Sequence, residues 1–258
     1  MAPELLYAKS SIAKTVKPKA RPNSSLNSSA LIRCLLDRAI VNAADVAQLS
    51  ADAGSQLSFA EQLGLWLNWT DAIALSAALG ANRVTTAPAN PSDAQQPTAA
   101  LTAALQRVRG DLAQAIRSGR SAEGAAHDSD HSTADCASHR RNYRAHQQAM
   151  ETHIAALRTH VRAVLSGLSL DLNRLAALDA VLDKALAARE RHVLSTLPSL
   201  LERHFNRLRA GLGVPGETSV SPSAGWHAVF CSDMQAALLA ELDLRLHAVE
   251  GLIEAIPQ

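Results

Sequence analysis

Apolar residues along this chain recur at steps of three and four, and no stretch alternates with period two for long enough to make a strand. Ser28 or Ser29 can cap a first helix running to Val41, with Leu31, Ile32, Leu35 and Ile40 on its apolar side. Residues 42–57 are ambiguous and hold at most one further turn around Val46–Leu49. Ser58–Leu79 is the most strongly patterned stretch and reads as one helix, opened by a Ser58/Glu61 capping box and closed by Gly80 in the left-handed region. On that helix Phe59, Leu63, Trp66, Leu67, Thr70, Ile73 and Ala77 form a wide face expected to pack within the chain. Leu65, Trp69, Ala72 and Leu79 form a second apolar shelf, either covered by the C-terminal bundle or a candidate interface. Glu61, Gly64, Asn68 and Asp71 leave only a narrow polar seam, so the helix reads as central to a bundle or seated at an interface.

Further on, Leu101, Leu105, Val108, Leu112 and Ile116 predict a helix over 99–118. Cys136–Leu168 tightens into apparent heptads, with Met150, Ile154, Leu157, Val161, Val164 and Leu168 as the seam. Asp171 starts another helix, with Leu175, Leu178, Leu182 and Leu186 on one side. Pro198 should kink or restart it, with Ser195 or Thr196 as a new cap, and Leu201, Phe205 and Leu208 carry it to Gly211. In the last helix, Trp226–Ile256, the stripe is Leu239, Leu242, Leu246, Val249, Ile253 and Ile256. The expected fold is all-α, a long-helix bundle or coiled-coil-like C-terminal half with shorter N-terminal helices.

Polar and Pro-rich text divides these elements. Residues 1–28 read as a disordered basic tail, with Lys9, Lys14, Lys17, Lys19 and Arg21 against Glu4. Residues 29–82 hold the N-terminal helices, including the Trp-bearing helix 58–79. A linker at 83–98 precedes helix 99–118, a disordered loop at 119–135 follows, and 136–258 is the long-helix bundle. The net charge of +1 gives no global polyelectrolyte signal. Three widely separated cysteines, Cys34, Cys136 and Cys231, argue for a reducing compartment rather than a disulfide framework. No signal peptide is visible, and the longest apolar run, Ala72–Ala81, is about half the ~20 residues a bilayer span needs. A cytoplasmic location follows as the expectation.

Candidate chemistry is sparse. His139, His146, His153 and His160 are spaced by seven and would flank the heptad seam, as a pH-sensitive edge or as plain polar residues. His127, His131, Cys136 and His139 are the right types for zinc, but their loop has no apolar anchors, so no metal or other cofactor is assigned. Arg140, Arg141, Arg144, Arg158 and Arg162 make the 136–168 helix basic. The last helix is acidic, through Asp233, Glu241, Asp243, Glu250 and Glu254, and pairing of these two helices is the simplest expectation. No nucleophile elbow, phosphate loop, dinucleotide turn, zincin helix or Glu-x-x-His pair is present. With aromatics at only 3% there is little to line a ligand pocket. The reading is a non-enzymatic interaction or scaffold protein that self-associates or docks on a protein partner. The alternative is weak nucleic-acid binding through the tail and the Arg140–Arg162 face.

Four blocks look familiar together: SFAEQLGLWLNWTDAIALSAAL (58–79), RRNYRAHQQAM (140–150), LAALDAVLDKALAARERHVLSTLPSLLERHFNRLR (175–209) and DMQAALLAELDLRLHAVEGLIEAI (233–256). On these blocks the chain resembles a bacterial family, represented in β-proteobacteria and relatives and catalogued only as a domain of unknown function. The resemblance brings no activity, cofactor or catalytic residue. It implies a genomic setting, with members often encoded beside inner-membrane proteins similar to proton-driven stator subunits and beside a peptidoglycan-binding, outer-membrane-protein-A-like protein. The implied role is a cytoplasmic accessory factor of an envelope complex.

Overall fold

Good helix formers dominate the chain, and helices are what form. A computed structural model describes residues 29–42, 44–46, 59–80, 91–119, 136–211 and 225–257. The basic tail, Ser58, residues 81–90, the loop after Gly119 and the loop after Gly211 lie outside the described residues. The helices are α1 (Ala30–Asp37), α2 (Phe59–Trp66), α3 (Trp69–Gly80), α4 (Pro91–Arg117), α5 (Cys136–Leu168), α6 (Leu170–Leu194), α7 (Leu197–Arg209) and α8 (Trp226–Glu254). No strand occurs among the described residues.

The bundle is built around α8, which packs against α1, α4, α5 and α7. Most of its buried residues fall on two adjacent rows: Phe230, Met234, Ala237 and Glu241, then Leu238, Leu242, Leu246, Val249 and Ile253, with Asp233 and Leu252 buried beside them. Leu239, expected in the stripe, is half-buried, and Ile256 is buried just past the helix end. A helix enclosed on several sides needs apolar residues around much of its circumference. Ser58–Leu79 is therefore not the central element; its C-terminal part, α3, is seated on α6 at the outside of the bundle. Between α3 and α5, the α6 leucines Leu175, Leu178, Leu182 and Leu186 are half-buried, while Leu172, Ala176 and Leu194 are buried.

The seam of α5 differs in period from the heptad expected. Tyr143, His146, Met150, Ile154, Leu157, Val161 and Leu165 are buried, stepping three, four, four and repeating every eleven residues. Val164 and Leu168, expected in the seam, are half-buried instead. An eleven-residue repeat suits about 3.67 residues per turn, close to a straight helix, whereas strict heptads drift ~20° each and force a left-handed supercoil.

Three boundaries also move. The first helix ends at Asp37, not Val41, because Ala39 sits at φ 49°. The Ile40 N–H donates to Leu35 O at 2.9 Å and the Ala39 N–H to Leu36 O at 2.9 Å, a Schellman closure with alanine where glycine is usual. This turn sends Ile40 and Val41 into the core. Ser29 occupies the N-cap position without a side-chain cap bond. Ala39→Gly is expected to raise stability by about 0.5–1 kcal/mol, read from the urea midpoint, since left-handed backbone costs an alanine about 1–2 kcal/mol and glycine's extra unfolded-state freedom returns part of the gain. Linker residues 91–98 belong to α4: Pro91 opens the helix, where an N–H is not needed, and Pro97 lies inside it. Gly80 is the last residue of α3, and the left-handed glycines among the described residues are Gly119 and Gly211. Of the two outcomes open at Pro198, the helix restarts: α6 stops at Leu194 and Pro198 sits in the first turn of α7. Thr196 is at that N-cap, but its hydroxyl donates back to Val193 O at 2.7 Å.

Candidate interaction surface

The Trp-bearing stretch is two helices because Asn68 and Asp71 form a reciprocal cap. The Asp71 N–H donates to Asn68 Oδ1 at 2.9 Å and the Asn68 N–H to Asp71 Oδ2 at 3.2 Å. This Asn-x-x-Asp box starts a new helix at Trp69, just as Asn42 and Asp45 do for the short turn at 44–46. The break turns α3 relative to α2, so faces drawn through both do not persist. Ala78 is the buried residue of α3, with Ala74 and Leu75 half-buried beside it. Ile73 and Ala77, expected inside, are exposed, as is Thr70. The second shelf is exposed throughout: Leu65 is 73%, Trp69 80% and Leu79 59% accessible, and Ala72 is exposed beside them. With Ile73 at 53%, four large apolar side chains meet solvent within the fifteen residues Leu65–Leu79. Across this stretch Asp71 is the single formal charge, and its carboxylate is engaged in the cap.

Trp66 joins this surface to the bundle. The Arg189 guanidinium lies over its ring, 4.2 Å from the centroid. Beside it runs a groove of about 720 Å³, lined by α5, α6 and α8 and including the exposed Val193 and Leu244. Its charged walls pair with each other: Arg158 with Asp183 at 2.8 Å, Arg191 with Glu151 at 3.7 Å and Arg245 with Glu190 at 3.4 Å.

The five-arginine face divides. Arg158 and Arg162 are largely buried and clasp Asp179 and Asp183 of α6. Arg140, Arg141 and Arg144 are exposed, with Arg140 reaching Glu202 at 3.3 Å. The basic and acidic long helices do pack together, yet the arginine partners come mostly from α6 and α7.

The histidine stripe divides as well. His153 and His160 are exposed, His146 is buried, and His139 reaches towards α8, its Nε2 3.1 Å from His227 Nε2. Seven residues fall short of two turns of a seam with about 3.67 residues per turn, so the stripe rotates away from the core as it descends. Burial pushes the His146 imidazole below its ordinary value of 6.5. Further polar groups sit inside the bundle, among them Asp233, read in the sequence only as part of the acidic face of the last helix. His204 Nε2 is 2.8 Å from Asp233 Oδ2, while Arg207 faces His204 Nδ1 at 3.0 Å and Arg38 donates to Asp233 Oδ1 at 2.8 Å. With Arg207 donating to Nδ1, the ring must donate from Nε2 to Asp233. Both ring nitrogens are thus engaged, and this buried pair ties α1, α7 and α8 together. Arg207 also donates to Ala39 O and Ile40 O, holding the turn after α1.

This is an all-α bundle with polar ties in its core and one apolar helix pair held on its outside. The chain belongs to the family described as protein of unknown function DUF3348, whose model matches residues 18–258. No curated protein and no solved structure matches it. No helix among the described residues is long and apolar enough to cross a membrane.

Proposed function

We propose that the protein is a non-enzymatic interaction protein whose docking element is the α2–α3 surface, and that its first partner is a second copy of the same surface. The observation that carries this reading is the joint exposure of Leu65, Trp69, Ile73 and Leu79. Contiguous apolar patches of this kind mark interaction sites, and tryptophan is enriched among residues that dominate interface energy. A patch carrying one engaged carboxylate and no cation asks for an uncharged, apolar counterpart. The same face offers one, with the exposed small residues Ala72, Ser76 and Ala77 giving room for Trp69. Burying four such side chains on each of two copies contributes at most roughly 12–24 kcal/mol. Association itself costs about 4–15 kcal/mol. Self-association in solution is therefore expected.

A cytoplasmic accessory role in an envelope complex, the setting implied by the resemblance, belongs to the same reading, since such a factor works by docking. Nucleic-acid binding is the weaker alternative, because Asp179 and Asp183 hold two of the five arginines it would use. Light scattering of the full chain across a concentration series tests the proposal. The wild type should rise above monomer mass, and Trp69→Asp should remain monomeric with unchanged helicity. A wild type that stays monomeric throughout sinks self-association. A cellular partner recovered by that monomer and lost in Trp69→Asp would transfer the surface to heterotypic docking.

A further inference from the structure

We propose that His139, His227 and Cys231 form a binding site for a divalent transition-metal ion of the zinc type, at the end of the bundle remote in sequence from the α2–α3 surface. His227 and Cys231 stand one turn apart on α8, so both side chains project from one face. His139, in the first turn of α5, projects at them from the neighbouring helix. One ligand atom from each residue lies within 4.8 Å of the other two. The His139 and His227 Nε2 atoms are 3.1 Å apart, and Cys231 Sγ is 3.7 Å from His227 Nε2. In a tetrahedral site with metal–nitrogen bonds near 2.05 Å and a metal–sulfur bond near 2.3 Å, those edges come to about 3.35 Å and about 3.55 Å. Two of the three edges are thus already within a few tenths of an ångström of a coordination sphere, and closing the third needs a modest swing of the Cys231 side chain.

The donor set selects the class of ion. Two neutral imidazoles and one thiolate suit zinc, cobalt or copper and disfavour magnesium and calcium, which take oxygen ligands. On binding, the Cys231 thiol gives its proton to solvent and the sulfur becomes the ligand. The surroundings keep the ligands in place. The His139 ring meets Phe230 edge-on at 5.1 Å and lies 5.9 Å from Phe205, and both phenylalanines are fully buried. The Trp226 ring stands edge-on to His227 at 5.7 Å. Three protein ligands leave a fourth position for water or an incoming group. The sequence pointed elsewhere: of the His127, His131, Cys136 and His139 cluster, His139 is the one member of this site, and the other two ligands lie some ninety residues further along.

The test uses tag-free, full-length, metal-stripped protein titrated with Zn²⁺ by calorimetry and with Co²⁺ by absorbance. One ion should bind per chain, and the Co²⁺ form should develop a thiolate-to-metal charge-transfer band together with the intense visible bands of tetrahedral cobalt. His227→Ala and Cys231→Ser should each weaken Zn²⁺ binding by at least about a hundredfold, since even outer-shell changes cost ten- to a hundredfold. Cys231→Ser should also remove the charge-transfer band. His153→Ala/His160→Ala, altering exposed histidines of the same helix, should leave both readouts unchanged, as should Cys34→Ala. Circular dichroism confirms that each variant is folded. A wild type that takes up no stoichiometric ion overturns the site, as does a charge-transfer band that persists in Cys231→Ser.

Discussion

Replacing Arg245 with methionine is expected to destabilise the fold by about 3–5 kcal/mol, the cost of leaving a buried charge without its partner. Glu241 is fully buried in the middle of α8. Its carboxylate accepts from the Tyr143 hydroxyl at 2.8 Å, from Gln147 Nε2 at 3.0 Å and from Arg245 Nε at 3.0 Å. Among the described residues Arg245 is the one cation bonded to that carboxylate; its side chain is 8% exposed and also reaches Glu190. Tyr143 cannot substitute for it. Burial and the neighbouring Glu241 charge push its phenol well above the ordinary value of 10, so it remains a neutral donor. Against a typical total stability of about 5–15 kcal/mol, the loss is a large fraction. The double variant Glu241→Met/Arg245→Met should regain much of it. That variant leaves two neutral donors short of an acceptor, at about 1–3 kcal/mol each, in place of a bare carboxylate. Urea unfolding of the wild type, both single variants and the double variant forms a thermodynamic cycle. An Arg245→Met cost below about 1 kcal/mol would mean that the pairing does not support the buried charge.

The helices themselves were legible, because Leu-rich three–four spacing, the proline restart at Pro198 and the α8 stripe are local signals. What covers each apolar face was not. Periodicity marked Ser58–Leu79 as apolar on two sides, a property that a central helix and an interface helix share, and the packing gives the central place to α8. The Asn68–Asp71 cap was written in the sequence as an Asn-x-x-Asp pattern, but it sat inside an unbroken apolar stripe and the stripe dominated the reading. Leu65, Trp69, Ala72 and Leu79, grouped by periodicity, are all exposed. Ile73, assigned to the opposite face, joins them in exposure because the break changes the register. Proline at 91 and 97 suggested a linker, yet the Ala and Gln around them favour helix strongly enough to continue it. The buried polar ties and the His139–His227–Cys231 cluster join residues far apart in the chain, and no one-dimensional period reports such meetings.

Acid should unfold the protein in two stages, and Asp179→Asn should remove much of the lower one. Arg158 and Arg162 stand one turn apart on α5 and face Asp179 and Asp183, likewise one turn apart on α6. Arg158 Nε donates to Asp179 Oδ2 at 2.9 Å, Arg162 Nε to the same oxygen at 2.7 Å, and Arg158 Nη1 to Asp183 Oδ1 at 2.8 Å. Burial alone would raise the Asp179 carboxyl, but the hydrogen bonds and charges of the two arginines outweigh it and bring the group below its ordinary 3.8. Asp45 is lowered as well, chiefly by the backbone N–H of Asn42 and with help from Arg203. A carboxyl whose folded value is depressed contributes its full stability above the unfolded value and loses it as pH falls through the folded one. The lower stage therefore begins near pH 3.8 and extends below it. His146 supplies the upper stage with a different origin. Its folded value lies below 6.5 because burial disfavours the cation, so on acidification the unfolded chain takes up that proton first. Stability then falls from about pH 6.5 downwards until the folded imidazole also titrates. His146→Leu should flatten the decline between pH 7 and pH 5 while leaving the lower stage in place. Asp179→Ala should cost about 2–3 kcal/mol at neutral pH, since both arginines keep only the half-exposed Asp183. Urea midpoints measured at pH 7, 5 and 3 separate the stages. A wild type equally stable at pH 7 and pH 5, or an Asp179→Asn profile still as steep as wild type below pH 4, would contradict the assignment of these groups.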